Sequence, residues 1–413
     1  MKTMYWLVLS WLVALIPGTY SQTLEPEGMI TALGISGLKR TKRQVAERPL
    51  KQFLGQDAEH LDVDAVYAVL MDTGILEPLK VEIQDARDGN GKILMVEVRE
   101  KWSIFPLPVV FVGSGGTSFG GFFIDTNAFG LNDKFFIGGM YGNDGWMTGT
   151  AYMHTPVREG FPGWTLSGAF AQTERRHTDQ RNQDLRRFNL DSLSSSARLT
   201  YSLTDHLKSS LGVSYEQLML RETDAPLAAP ESGERVIGIA AEVSLRKSRW
   251  DGFLLSEESL SGGYTFMAGL EGPSFQVLRF RGIYEKSLLP GFRVNLHTGI
   301  LYEPGVTLLS ESSPAAAQVA ILPSSFSARH YGGAALGLEK YLLKTSVGVL
   351  SGVISYQGVY SQGSILGDQF DHGIAGALSF YLSKLAIPAL GLGIAYNISA
   401  DYLQGSFSLG MSF

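Results

Sequence analysis

From about residue 109 to Phe413, apolar and polar residues alternate in run after run, and this period of two restricts the fold more than any other feature. Successive side chains of a strand point to opposite faces, so each run has one apolar and one polar face. In 197–204, Ala197, Leu199, Tyr201 and Leu203 share a face, and Arg198, Thr200, Ser202 and Thr204 share the other. In 236–246, Ile237, Ile239, Ala241, Val243 and Leu245 oppose Gly238, Glu242, Ser244 and Arg246. In 292–302, Phe292, Val294, Leu296, Ile300 and Tyr302 oppose Arg293, Asn295 and His297. A soluble sandwich also alternates. The difference lies in scale. We count about sixteen such segments, each near or above the roughly 9–11 residues that a tilted strand needs to cross a bilayer. A soluble barrel of that width has no reason to keep its interior polar, and an open sheet edge cannot sit in hydrocarbon. The pattern predicts a transmembrane β-barrel of about sixteen antiparallel strands over 102–413.

The expected strands centre near residues 121, 138, 150, 169, 198, 213, 240, 264, 281, 297, 323, 338, 353, 377, 392 and 408. The segment 303–328 is rich in Ser, Ala and Pro and alternates poorly, so the strand near 323 is the weakest of the set. In the last strand Gly405, Phe407, Leu409, Met411 and Phe413 face one way, and Gln404, Ser406, Ser408 and Ser412 the other.

Composition agrees with a barrel. Hydrophobic residues make up 45% of 413, and the mean hydropathy is +0.06, because only alternate strand residues meet lipid. The net charge of −6 is spread out and points to no nucleic-acid partner. The chain has no cysteine, which excludes disulfides, thiolate metal sites, a cysteine nucleophile and a lipidated N-terminal cysteine.

The N-terminus reads as a signal peptide, 1–21. Lys2 supplies the positive charge, and Trp6 to Ile16 is an apolar run broken by Ser10. Pro17-Gly18 ends it, with cleavage expected after Ser21. The run is too short for a membrane-crossing helix, which needs about 20 residues.

Between the signal peptide and the barrel, over 22–101, the periods are mixed. Met29 to Ile35 reads as a strand ending at Gly37. Thr41 is placed to cap a helix from Lys42 to about Phe53. Leu61, Ala65, Ala68 and Val69 recur at helical spacing before Gly74. Val81 and Ile83, then Ile93 to Val98, alternate on either side of Asp88-Gly89-Asn90-Gly91, a hairpin-turn sequence. The order is β-α-α-β-β.

That order, with Ile30, Gly37, Thr41, Leu70, Gly74, Leu76, Val81, Val98 and Glu100, resembles a POTRA domain, the periplasmic module of the BamA-like outer-membrane assembly superfamily. Stretches of the barrel resemble the same superfamily (the bacterial surface antigen family). Glu100-Lys101-Trp102 leads through Pro106 and Pro108 into the barrel, as in short members with a single POTRA domain. Asp125, Asn127 and Gly130 match the D-x-N-x-x-G loop that follows the family's first strand. Leu338-Glu339-Lys340-Tyr341 resembles the E-Y-R strand that follows the inward-folded sixth extracellular loop. Gly373 to Leu382 and Gly391 to Asn397 resemble the closing strands. The nearest match to the family's R-G-F/Y motif at the tip of the sixth loop is Arg329-His330-Tyr331-Gly332, in which histidine replaces glycine. In the family the arginine pairs with an acidic residue of a D-x-G motif, but the corresponding Tyr356-Gln357-Gly358 holds no carboxylate. Either Glu339 or Asp371 supplies the charge, or Arg329 stays hydrated in the lumen.

The resemblance implies a factor that assists insertion or assembly of outer-membrane proteins, or moves polypeptide across that membrane. It implies a bacterial outer-membrane location with the N-terminal domain in the periplasm. The partners it implies are membrane lipid and lipopolysaccharide, unfolded outer-membrane clients and periplasmic accessory proteins. Gly115, Gly116, Gly120 and Gly121 are expected to loosen the first strand where it meets Phe407, Leu409 and Phe413 of the last, forming a lateral gate. A passive pore or structural barrel is the alternative, and a two-partner secretion transporter a further one.

No enzyme chemistry stands out, and no catalytic, cofactor or metal residue is expected. Gly116-Thr117-Ser118-Phe119-Gly120 matches G-x-S-x-G, but a strand continues where a hydrolase needs a sharp turn into a helix. Arg175, Arg176, Arg181, Arg186 and Arg187 form a basic cluster, either a solvated rim or a lipopolysaccharide or substrate contact. Counting strands from the small domain puts this turn in the periplasm, against the tendency of long loops to lie outside.

Overall fold

The structure, a computed structural model, describes residues 28–86, 91–156, 160–221, 230, 232–251, 254–346, 348–382 and 388–409. The signal-peptide reading, most of the Asp88 to Gly91 turn and Phe413 lie outside these residues. The chain divides into two compact units, one holding Ala46–Glu100 and the chain before Lys39, the other Lys39–Val45 and Lys101–Phe413.

The small unit has strands β1 (Ile30–Ser36), β2 (Leu76–Asp85) and β3 (Lys92–Glu100) in the order β1-β3-β2. β1 runs parallel to β3, and β2 antiparallel to it. The helices of this part of the chain are α1 (Arg43–Glu47), whose first three residues are grouped with the large unit, and α2 (Val63–Met71). The first helix is shorter than its pattern predicts and passes into a 3-10 turn, Arg48–Phe53. Pro49 is the reason, because it lacks the N–H that an α-helical ladder needs. Asp62 caps α2 by accepting from the Ala65 N–H at 3.1 Å. Leu50, Val66, Leu70, Leu76 and Leu94 are fully buried and form the core between helices and sheet.

The large unit is a closed antiparallel barrel of 16 strands. They are β4 (Ile104–Gly113), β5 (Gly116–Ala128), β6 (Asp133–Gly142), β7 (Gly145–His154), β8 (Gly163–Thr178), β9 (Asp184–Ser202), β10 (Leu207–Arg221) and β11 (Glu234–Asp251). There follow β12 (Leu254–Glu271), β13 (Phe275–Leu289), β14 (Phe292–Tyr302), β15 (His330–Lys344), β16 (Gly348–Ser364), β17 (Gly367–Leu382), β18 (Pro388–Asn397) and β19 (Tyr402–Leu409). The expected strand number holds, through two compensating differences. The strand expected near 323 is a long loop, and an unexpected strand, β4, opens the barrel. β4 reads Ile-Phe-Pro-Leu-Pro-Val-Val-Phe-Val-Gly, apolar throughout, with two prolines, so it carries no alternation.

The extra first strand corrects three expectations. Gly116, Gly120 and Gly121 lie on the second barrel strand and Gly115 in the turn before it, so none crowds the first. The Asp125, Asn127 and Gly130 loop follows the second strand. The turn beside the basic cluster lies at the end of the barrel opposite to where the chain enters at Ile104, the same end as loop 303–329.

Register fixes which side chains point inward. Gln404 reaches loop 303–329 inside the barrel, so Ser406 and Ser408, at alternate positions, also face the lumen. Ser408 is opposite Phe111, Phe111 opposite Ser118, and Met140 opposite Met147. On the other parity Leu211, Ile239, Ile354 and Phe370 are each at least 60% exposed and form the outer face. A closed wall, apolar outside and bearing arginine, glutamate and serine inside, is a membrane-spanning barrel.

Candidate functional site: the lumen loop and the seam

Loop 303–329 turns inward because the wall beneath it has been cleared. Gly299 of β14 and Gly333 of β15 are paired in register on the inner face. A Cβ at either would lie within 3 Å of the turn Pro314–Ala317, so their absence lets the loop backbone rest on the wall. Val319, Ile321, Leu322 and Phe326 then pack on Leu301, Tyr331, Val359, Ala375 and Ala395.

Polar tethers hold the loop around the lumen. The Gln357 side chain accepts from the Ala320 N–H at 2.6 Å, and Gln404 donates to the Ala320 and Leu322 carbonyls at 2.5 and 2.9 Å. The Ser324 N–H donates to Ser114 Oγ at 3.0 Å, and the Thr178 N–H to the Ser325 carbonyl at 3.0 Å. Glu234 of β11 accepts from Thr307 and, at 3.3 Å, from Ser310. Arg175 donates to the Leu309 carbonyl. Arg186 pairs with the buried Glu311 at 3.1 Å, to which Ser327 also donates at 2.9 Å, and His177 lies 3.6 Å away.

The basic cluster is thus split by strand parity. Arg175 and Arg186 point inward and grip the loop. Arg176 and Arg187 are opposite each other on the outer face, where Arg176 pairs with Asp184 at 2.6 Å. Arg181 donates to the Ala400 carbonyl at 2.8 Å.

Arg329, His330, Tyr331 and Gly332 sit where the loop rejoins the wall, rather than at its tip. Arg329 is half-exposed, with its Nε 3.8 Å from Glu311, a residue of the loop itself. Neither of the expected carboxylates faces it. Asp371 accepts from Asn397 at 3.0 Å. Glu339 lies toward the other end of β15 and pairs with Arg293, whose guanidinium also reaches Glu285 at 2.7 Å. Ser351 donates to Glu339 at 2.6 Å. Tyr331 is buried, and its hydroxyl donates to the Ser312 carbonyl at 3.0 Å. His330 stacks outward on Tyr302, and its Nδ1 accepts from the Glu303 N–H at 2.9 Å. Burial pushes the Glu303 carboxyl up to about 7, although Ser312 donates to it at 3.0 Å.

Asp125, Asn127 and Gly130 form a dock for segment Lys39–Val45. Asp125 holds the Arg40 guanidinium, Asn127 donates to Thr41 Oγ1 at 2.9 Å, and the Lys42 N–H donates to the Gly130 carbonyl at 2.8 Å. Gly130 has φ +73°, and a Cβ there would strike the Arg40 carbonyl.

The barrel closes between β4 and β19. Among the described residues only three pairs join them, Val110 with Leu409, Phe111 with Ser408 and Val112 with Phe407. β19 makes eight pairs with β18 on its other side. Pro106 and Pro108 remove two further N–H groups from β4.

No family model matches the chain, and no curated protein matches it. Solved structures do. BamA from Haemophilus ducreyi lacking POTRA domains 1-3 is 12% identical, with TM-score 0.63, over 93% of this chain and 84% of that one. CdiB from Acinetobacter baumannii is 12% identical, with TM-score 0.66, over 94% and 74%. CdiB from Escherichia coli is 11% identical, with TM-score 0.58, over 96% and 93%. The fold is that of the BamA and CdiB barrels. At this identity the likeness speaks for the fold alone. In this BamA- and CdiB-like barrel, sequence reasoning missed Glu311, Glu234 and the paired Gly299 and Gly333. The glycine pair was the readable signal, since both fall on the inner parity of adjacent strands.

Proposed function

We propose that this chain is a bacterial outer-membrane barrel that assists the insertion or translocation of other outer-membrane polypeptides. The observation that carries the reading is the contrast between a lumen crossed by the chain's own loop and a wall joined, among the described residues, by three pairs at one seam. A client that cannot thread a lumen crossed by loop 303–329 has the seam available, where an opened β4 or β19 offers unpaired N–H and C=O groups as a template. The small domain, read as a POTRA domain in the periplasm, would receive the client. Its β2 is an edge strand, open to β-augmentation near Val81. Lipopolysaccharide and periplasmic accessory proteins are further partners on this reading, and it gives the chain no enzymatic step.

Because the chain lacks cysteine, the seam can be locked selectively. Val112→Cys with Phe407→Cys, oxidised in liposomes, is expected to stop insertion of a client barrel, and reduction to restore it. Insertion that continues through the locked seam would sink the gate. A two-partner secretion transporter fits the same fold equally well, and CdiB stands beside BamA among the similar structures. On that reading the oxidised seam leaves secretion of a large partner intact, while tethering loop 303–329 to the wall blocks it.

A further inference from the structure

Two cavities of similar size in the lumen have unlike linings. One, about 610 Å³, is lined by charged residues such as Arg198, Glu216, Glu242 and Arg281. The other, about 620 Å³, lies behind the seam and is apolar, where a membrane barrel ordinarily keeps its interior polar. Phe111, Met140 and Met147 point into it from β4, β6 and β7. The inner positions of these strands carry no other charge than Lys134, near the opposite end, and Asn143 and Asp144 of the β6–β7 turn line the cavity at its rim. Across the cavity the side chains are small, as at Ala377 and Ser406. The chain's own loop does not fill it, since the apolar part of loop 303–329 packs on β14 to β18.

The same cavity is also lined by outer-face residues, Tyr141, Trp146 and Phe407. This is possible because the wall has a notch. β4 stops at Gly113, while β19 begins at Tyr402, so Tyr402–Ser406 have no partner on the β4 side among the described residues. The apolar cavity of the lumen is therefore continuous with the lipid-facing surface.

We propose that this cavity binds one acyl chain of a membrane lipid, entering through the notch with its headgroup left at the interface. A hydrocarbon tail suits the lining because it asks for no hydrogen bonds. A peptide segment would bring backbone N–H and C=O groups that only the Tyr402–Ser406 edge at the notch could meet, and those reaching deeper, between paired strands, would be desolvated at a cost. The proposal holds whether or not the barrel handles a client.

The test uses the full chain in vesicles of phosphatidylethanolamine and phosphatidylglycerol, with p-benzoylphenylalanine placed singly at Met140, Met147, Ile137 or Ser194. Ile137, on the outer face of β6 and outside the cavity lining, faces bulk lipid and reports labelling there. Ser194 faces the charged cavity, opposite Glu216 in register. After irradiation, intact mass is expected to show phospholipid adducts at Met140, Met147 and Ile137 and none at Ser194. Ala377→Phe, which narrows the cavity, is expected to lower the Met147 adduct several-fold and leave the Ile137 adduct unchanged. Labelling at Ile137 without either methionine position overturns the proposal, and so does equal labelling at Ser194. Heat-modifiable mobility on gels establishes that each variant is folded, and the two methionine positions are independent readings.

Discussion

Glu311 is the residue on which the loop's grip on β8 and β9 converges, since Arg186, Ser327 and Arg329 all address one buried carboxylate. Removing it leaves Arg186 buried without its counterion, a change that costs about 3 kcal/mol. Glu311→Ala is therefore expected to release the loop and expose it to protease, while far-ultraviolet circular dichroism keeps the strand signal. An unchanged cleavage rate would show that the other tethers suffice. Glu303 gives the loop a pH dependence. Its carboxyl has an ordinary value of 4.5 and stands at about 7 in the folded chain. Between these values the folded protein holds a proton that the unfolded loop has released. Loop stability is thus highest below pH 4.5, falls as pH rises to about 7 and is level above. Hydrogen exchange across 303–329 at pH 5 and pH 8 should show less protection at pH 8, and Glu303→Gln should remove the difference. Some of this was legible at the residue scale. Strand parity alone separates Arg175 and Arg186 from Arg176 and Arg187. Nothing in the linear chain marks Glu311, because its wall partner Arg186 lies 125 residues away.

Among the elements, loop 303–329 and strand β4 are where the period of two failed as a guide. The loop has a short alternation at Val319 and Ile321 that imitates a strand, yet it is buried on one side by the lumen wall rather than by lipid. β4 is apolar on both faces, so its sequence has no period to detect, and Pro106 and Pro108 argue against a strand. Proline is tolerated at the edge of a sheet, and β4 is the strand at which this one closes. The glycine pair under the loop yields a prediction at this scale. Gly299→Val puts a side chain where Cβ alone would lie 2.4 Å from the Ala316 carbonyl. Such overpacking costs roughly 1–3 kcal/mol. It should lift the turn Pro314–Ala317 and raise conductance in planar bilayers, with heat-modifiable mobility retained. Gly332, one position along and facing outward with open space around its Cβ direction, is the control, and Gly332→Val should leave conductance unchanged.

For the whole molecule, the two faces of the wall obey opposite rules. Ile354 of β16 is 60% exposed on the outer face, whereas Ser355 beside it points inward. Arginine on the lipid face near the midplane costs about 2–4 kcal/mol. Ile354→Arg should lower stability against guanidinium by that amount when the barrel is refolded into vesicles, and Ser355→Arg by much less. Equal losses would mean that Ile354 does not meet lipid. This inside–outside rule was already present in the sequence. A period of two sustained over some three hundred residues commits the chain to strands with one apolar face, and hydrocarbon obliges such a sheet to close. Fifteen of the sixteen strands, the alternate placing of Arg198 and Leu199, and the β-α-α-β-β order of the small domain follow from local pattern. Tertiary structure alone decided where the barrel begins, which end the arginine-rich turn occupies, what faces Arg329, and that one cavity of the lumen is mostly apolar. Each depends on closure, which brings residues distant in the chain side by side. Local periodicity carries no term for a neighbour such as Phe111 beside Ser408.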